Sequence, residues 1–540
     1  MHRIGRFLGW WVFPTIVFVI LVVLGARAHP LWGDEAETAL FARNILKYGV
    51  PKGWDGTNIM GIENAVVLDK NLVNHTSPWA QYYLSAASFA VFGQSSFAAR
   101  IPSMALAILS LPLLYAIVLG LGLSKRIALF SLIIVSLSVP YLLFAYQARY
   151  YSLVTFAALG MIYAAIKTLK SLRLSLVFIV SGLALFYGNY VVFIAFYMSL
   201  FAMSILYVWQ TQRNILGTYI ARFIGLSVII ACFSAPWFFL LRPFESRGEI
   251  VLPQSIDFLK YLGIFTGLAV KPYHMNNAFP IGMAMLWFGF LVHAIVTKKH
   301  MASIMFPCVL AGMFLIIMAG FTVLGDVGTA FIHTRYTMLV LPLFAVCIAV
   351  VMDRIFVWKR VVGIVIFLIY LSTNLFTFST LRFLVWDYMQ ETIFPYTTPD
   401  IVVASYLKKH AKRGDTVYIN LDRDHEPLIF HLNDTVRFVN RVSLVNTRIF
   451  PENRGSIPRY IYDFRDNPDW IVLYSKRGND GSFFTFDYRD ISPAIQLSRD
   501  YEEIVLPVFF ADMSRPEIEL RSFYTIVPTY QDQVFIYKKK

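Results

Sequence analysis

An α-helical polytopic membrane module followed by a small α/β domain is the fold class this sequence predicts. Three observations predict it. Mean hydropathy is +0.60, with 57% hydrophobic and only 15% charged residues over 540 positions, whereas soluble domains carry about a quarter charged. The apolar residues fall in uninterrupted runs long enough to cross a bilayer. After about residue 381 the runs stop, and charged and turn-forming residues become frequent. An ordinary soluble enzyme and a disordered chain are thereby excluded.

The elements follow in chain order. Residues from Phe7 to Gly25 form one apolar stretch, followed by Ala26-Arg27-Ala28. A cleavable leader would have an apolar region of about 7–15 residues, so an uncleaved first span is the preferred reading. Further spans are expected near 97–121, 127–145, 150–167, 173–187, 190–208, 217–241, 281–297, 301–324, 336–352 and 361–380, about eleven in all. With the N-terminus inside, the alternate turns should be basic. They are: Lys125-Arg126, KTLKSLR (167–173), QTQRN (210–214), TKKH (297–300) and DRIFVWKR (353–360). The net charge of +14, from 47 Lys+Arg against 33 Asp+Glu, suits such loops against anionic lipid better than it suits nucleic acid. Cys232, Cys308 and Cys347 lie inside apolar runs and read as core residues rather than a disulfide framework or metal cluster.

This topology gives a transmembrane module over 1–380 with long outer loops at 27–96 and 242–280, and an extracytoplasmic domain over 381–540. Within that domain PDIVVASYLKKHAKRGD reads as a short amphipathic helix and TVYINL as a strand. EPLIFHLND, VRFVN, DWIVLYS and QVFIYKKK continue the alternation of helix and strand. A localisation as an integral membrane protein, in a bacterial inner membrane with the outer loops and C-terminal domain facing the periplasm or exterior, is expected.

The loop at 27–96 carries the chemistry. GDEAETALFARNILKYG places Asp34, Glu35 and Glu37 at the start of a helix just past the membrane edge. They cap that helix and complement its dipole, or Asp34 faces a cavity where a carboxylate takes a proton from a hydroxyl or holds a divalent cation. Both hold together, because a helix N-terminus keeps a carboxylate charged. Lys70, His75 and Arg100 lie near the bilayer surface, where they anchor to headgroups or grip an anionic lipid phosphate. In YQARYYS (146–152), Arg149 stands on a short outer turn among tyrosines that an aromatic belt explains. Its guanidinium matches phosphate bidentately. IHTRY sets His333 and Arg335 at another outer edge. No phosphate-binding glycine loop, zinc-protease, Cys-x-x-Cys or Gly-x-Ser-x-Gly motif occurs. Any sugar donor on the outer face is then most simply lipid-linked.

These segments resemble a known family. A first span ending in Asp34-Glu35, a long outer loop, the segment PWAQYYLSAASFAVFGQSSFAARIPS from Pro78, and YQARYYSLVTFAAL are similar to the polytopic GT-C glycosyltransferases. The likeness is to the protein O-mannosyltransferase superfamily and the bacterial lipid A aminoarabinose (ArnT-like) transferases. It covers the first 170 residues by sequence and the rest as topology. The resemblance implies an inverting transfer from a polyprenyl-phosphate sugar to a hydroxyl of a lipid, glycan or protein. It implies a catalytic acidic residue at Asp34 with Glu35 beside it, and Mg or Mn as a possible ion at Asp34. Donor phosphate would lie at Arg149, with Arg335, His75 and Lys70, and Tyr150 and His333 would line the substrate cavity. Where the aminoarabinose transferases carry Lys before the proline, this chain has Ser77. In this reading Asp34 and Arg149 stand at opposite ends of one cleft. The rival reading is a transporter or flippase of a lipid-linked anion, which mid-membrane charges and paired repeats would favour. Here the notable charges gather at one face.

Overall fold

In the computed structural model the described residues are 9, 11–61, 68–75, 77–241, 301–321, 338–372, 384–394, 398–419, 425–441, 457–474, 497–509 and 531–540, with a few isolated positions between them. The expected stretch 281–297 lies outside them apart from 288, 289 and 292, as do Arg335 and His333.

The helical module comprises α1 (Val12–Ala28), α2 (Gly33–Tyr48), α3 (Ala80–Phe92), α4 (Ser96–Gly120), α5 (Lys125–Ser136), α6 (Val139–Ala145), α7 (Tyr151–Ile166), α8 (Leu172–Gly188), α9 (Tyr190–Thr211), α10 (Leu216–Leu241), α11 (Met301–Phe321), α12 (Leu341–Trp358), α13 (Arg360–Ser372) and α14 (Leu384–Ile393). Among the described residues, four helices are long and apolar enough to cross a membrane singly, and up to six spans result if each bent pair is one. This is an integral membrane protein. The described parts of the other expected stretches are helical, with shorter apolar helices at 151–166, 172–188, 302–318 and 360–371. Side chains of α1, α4, α5, α7, α9, α11 and α12 share one large apolar core. Cys347 is buried on α12, whereas Cys232, read as a core residue, faces outward from α10.

The span expected at 127–145 is broken. The chain bends by 67° between α5 and α6, where Pro140 occupies the first turn of α6. Proline has no N–H for the helical ladder and is tolerated at a helix start, so it ends one helix and begins the next. The break leads directly into the turn 146–150.

The C-terminal domain contains α15 (Pro399–His410), β1 (Asp415–Ile419), α16 (Glu426–Leu432), β2 (Val436–Val439), β3 (Trp470–Tyr474), the short β4 (Lys476–Arg477) and β5 (Phe483–Phe484), α17 (Leu497–Asp500), β6 (Tyr501–Phe509) and β7 (Gln531–Lys539). The five-stranded sheet has the order β2-β1-β3-β7-β6. β1 runs parallel to both β2 and β3, and β7 is antiparallel to β3 and β6. Period-two alternation divides the strands. Val417, Ile419, Trp470 and Val472 face one core, while Tyr418, Ile471 and Leu473 face another. The 9-residue β6, which the sequence reading did not single out, is an edge strand carrying Glu502, Glu503 and Pro507. Charges and proline are what an unpaired edge tolerates.

The first of those cores crosses the module boundary. Ala36, Ala39, Leu40 and Phe41 of α2 and Tyr82, Ala86 and Phe89 of α3 pack with Val403, Leu407, Leu428 and Ile429 of the sheet domain. Polar contacts fix the register. Asn58 donates its Nδ2–H to the Val436 carbonyl at 3.0 Å, and its Oδ1 accepts from the Phe438 N–H at 2.9 Å. One side-chain amide thus completes the ladder of edge strand β2. Arg43 donates to Asn433 Oδ1 and to the Phe430 carbonyl, at 2.7 and 3.0 Å. Gly61 sits at φ +68°, where a Cβ would lie 2.5 Å from the Phe41 ring, so the loop passes this close to α2 only because the residue is glycine. α14 packs on α1, with Tyr388 donating to the Leu21 carbonyl at 3.0 Å. The sheet fold itself therefore begins at α15, beyond the compositional change near 381.

Replacing Asn58 with Ala leaves a buried N–H and a buried carbonyl of β2 without these partners, at about 1–3 kcal/mol. Hydrogen exchange at 436–439 should accelerate about ten- to hundredfold, while α4 and α12 keep their protection.

Candidate active site

The site starts from a turn between two helices. The axis turns by 85° from α1 to α2, so α2 leaves the bundle and presents its N-terminus at the base of the outer loop. Arg100, in the first turns of α4, fixes this elbow. Its Nη1 donates to the Ala26 and His29 carbonyls at 2.9 and 2.5 Å, and Nη2 to the Pro30 carbonyl at 2.9 Å. Its Nε donates to Glu35 Oε1 at 2.8 Å, and Nη2 also binds Glu35 Oε2. All five guanidinium donors are engaged. Glu35 Oε1 also accepts from the Ala148 N–H at 2.8 Å. Both side chains are fully buried.

This corrects two expectations. Glu35, expected beside Asp34 as a catalytic carboxylate, points into the protein and is neutralised there. Arg100, expected at the headgroups, is buried. The physical reason is the helix period. Successive residues point about 100° apart, so Glu35 cannot share a face with Asp34, and a cation buried at the start of a span requires a carboxylate partner.

Asp34 and Glu37 are three residues apart and share a face of α2. Both meet Arg149. Arg149 Nη2 lies 3.3 Å from Asp34 Oδ2, and Nη1 lies 3.4 Å from Glu37 Oε2. Nη1 also donates to the Asp34 carbonyl at 3.1 Å and to Thr38 Oγ1 at 3.3 Å. The turn carrying Arg149 is held by Ser103 Oγ, which donates to the Arg149 carbonyl at 3.3 Å. It is held also by Trp32 Nε1, which donates to Gln147 Oε1 at 3.3 Å. The two groups expected at opposite ends of a cleft are therefore in direct contact, because a largely buried guanidinium needs counter-charge and α2 supplies it. Burial pulls the Arg149 pKa down, but Asp34, Tyr151 and Glu37 more than offset this, and the net shift is upward. The guanidinium stays charged.

One donor of this group is open. Arg149 Nε is shielded from solvent and has no hydrogen-bond partner among the described residues. A buried unsatisfied donor costs about 1–3 kcal/mol and calls for an explanation. The contrast with Arg100 is informative. One guanidinium is saturated and locks the elbow, while the other stands over two carboxylates with a donor to spare. Tyr150 packs beside it, its ring centroid 5.9 Å from the Arg149 Cζ and 4.7 Å from that of Tyr151.

The other expected residues are arranged differently. His75 Nε2 lies 2.8 Å from Asp69 Oδ2 in a small turn of the outer loop, and Lys70 is exposed at the tip of that turn. For the divalent cation expected at Asp34, no group of three or more ligating side chains occurs among the described residues. The space between Asp34 and Glu37 holds a guanidinium instead. Glu37 was legible as part of the acidic cluster but was not singled out for the site, and its three-residue spacing from Asp34 was the available signal.

No family model matches the chain, and no curated protein matches it in sequence. Solved structures do match. The crystal structure of ArnT from Cupriavidus metallidurans bound to undecaprenyl phosphate aligns with TM-score 0.55 and 12% identity, covering 98% of each chain. The apo state of the same protein aligns with TM-score 0.56 at the same identity and coverage. The Archaeoglobus fulgidus oligosaccharyltransferase tethered to an acceptor peptide aligns at TM-score 0.45 and 10% identity, over 99% of this chain and 89% of that one. The fold is thus that of the ArnT structures, along nearly the whole chain.

Arg100→Met would leave Glu35 as an uncompensated buried charge, a loss of about 3–5 kcal/mol. Thermal unfolding in detergent micelles should show a marked fall in midpoint and in recovered folded protein. An unchanged midpoint would show that the elbow does not depend on the pair.

Proposed function

We propose that this protein is a glycosyltransferase of the extracytoplasmic membrane face. It moves a sugar from a polyprenyl-phosphate donor to the hydroxyl of a lipid, glycan or protein acceptor, with inversion at the anomeric carbon. The membrane is read as a bacterial inner membrane with the site on its periplasmic side. The observation that carries this reading is the Arg149 guanidinium, largely buried, permanently charged and with Nε unused, held against the Asp34 carboxylate. An anion acceptor and a proton acceptor stand together. The ArnT structure that shares the fold is described as binding undecaprenyl phosphate, and this supports a lipid-linked donor here.

The residues would act as follows. Arg149 donates Nε–H to a phosphate oxygen, and the phosphate draws the guanidinium from Asp34 while Glu37 retains it. Asp34, released from its ion pair, accepts the proton of the acceptor hydroxyl. The hydroxyl oxygen bonds to C1 as the bond from C1 to the phosphate oxygen breaks on the opposite side. The electron pair leaves on the polyprenyl phosphate, whose charge Arg149 stabilises. The proton ends on Asp34. The low pKa of the phosphate removes any need for an acid on the leaving side. The sheet domain, docked on α2 and α3 behind the carboxylates, is suited to presenting the acceptor.

Asp34→Asn should lower turnover by about 10²–10⁴-fold, the usual worth of a general base, with insertion and thermal midpoint preserved. Unaltered turnover would overturn the role of Asp34. Arg149→Ala should weaken binding of undecaprenyl phosphate by about ten- to a hundredfold, the loss of a charge-assisted bond worth about 1.5–3 kcal/mol. Lipid and glycan mass spectrometry of cells with and without the protein would identify the group transferred.

A further inference from the structure

The opposite end of the bundle, which the basic turns assign to the cytoplasm, carries a second constructed cluster. α12 and α13 form a tight hairpin. A Cβ on Gly363 would lie 2.6 Å from the Phe356 Cα and 2.9 Å from its N, so glycine is what allows the backbones to come this close. The hairpin fixes the Phe356 ring. Phe130 of α5 lies beside it at 6.0 Å between centroids, with Phe367 of α13 4.8 Å beyond. Two guanidiniums flank the same ring. The Cζ of Arg126 is 5.2 Å from its centroid and that of Arg360 is 5.7 Å. Arg126 is oriented by an ion pair from Nε to Asp353 Oδ1, which leaves its Nη donors directed elsewhere. Lys359 stands 5.3 Å over the Trp358 ring. Arg126, Lys359 and Arg360 all lie on the exposed side.

Immediately beside this cationic group the surface is apolar. Val357 is 64% exposed, Trp358 72% and Val361 73%. Fixed cations above and bare hydrocarbon alongside, with an indole at the border, match a ligand that has an anionic head and acyl chains. We propose that this cluster is a binding site for an anionic phospholipid of the inner leaflet, with its phosphate held by the Arg126 and Arg360 guanidiniums and its chains along Val357 and Val361. Diffuse basic loops attract such lipids without order. Here aromatic stacking and the Asp353 pair hold the guanidiniums in place, so less side-chain freedom is lost on binding.

The test uses the full-length protein, delipidated in detergent micelles, with native mass spectrometry to count bound lipid. The probes are cardiolipin, phosphatidylcholine and inorganic phosphate. Wild type should bind cardiolipin at least tenfold more tightly than phosphatidylcholine, and inorganic phosphate should not compete at millimolar concentration. The double variant Lys359→Gln/Arg360→Gln, which removes two exposed cations, should bind cardiolipin about thirtyfold more weakly, from about 1 kcal/mol per charge. Equal binding by the variant would overturn the proposal. So would effective competition by inorganic phosphate, which would make this an anion site rather than a lipid site. A further arm needs no variant: raising the salt from about 0.05 to 0.5 M should displace cardiolipin from wild type, and salt-insensitive retention would also overturn it.

Discussion

The buried pair of Arg100 and Glu35 is the constraint on which the loop-bearing end of the helical module depends. Neither charge can exist alone where it lies, and each consumes backbone groups from a different part of the chain. α1 must end where its carbonyls meet the guanidinium. α2 must start where its second carboxylate reaches back to it. The turn after α6 must present the Ala148 N–H to the same carboxylate. The pair therefore fixes the angle of α2, and through that angle the side on which Asp34 and Glu37 emerge.

Arg149 inherits its surroundings from this arrangement. It faces two carboxylates with one positive charge, so the local group carries a net −1 if both are ionised. A phosphate brought there would compete with carboxylates already in place, and the guanidinium would be shared rather than captured. Glu37, 3.4 Å from Arg149 Nη1, would keep the cation paired if Asp34 were to separate from it.

The sequence made the helical module, the sheet domain and the acidic helix start legible, because hydropathy, charge asymmetry and capping patterns act over short windows. Every C-terminal segment singled out as helix or strand is one. Other features were obscured for identifiable reasons. Pro140 marked the break in 127–145, yet the run carries no charge and its hydropathy reads as one span. β6 hid behind Glu502, Glu503 and Pro507, which suit an edge and weaken a strand pattern. Asp34 and Arg149 were each singled out from the sequence, but their contact spans 115 positions and no local pattern encodes it. The inward turn of Glu35 was available from the helical period alone. Its partner was not, because Arg100 lies 65 residues away.

The shared core of α2, α3 and the sheet domain bears on how the chain is made. Arg43 and Asn433 bond across 390 positions, and the apolar side of α2 shares one core with Val534 and Ile536 of β7, the last strand. Until the final strands have been made, the apolar flank of α2 has only α3 to lie against. Completion of that core must therefore wait for the end of translation. A chain truncated before β7 would keep the Arg100–Glu35 elbow yet leave the core shared by α2, α3 and the sheet domain incomplete.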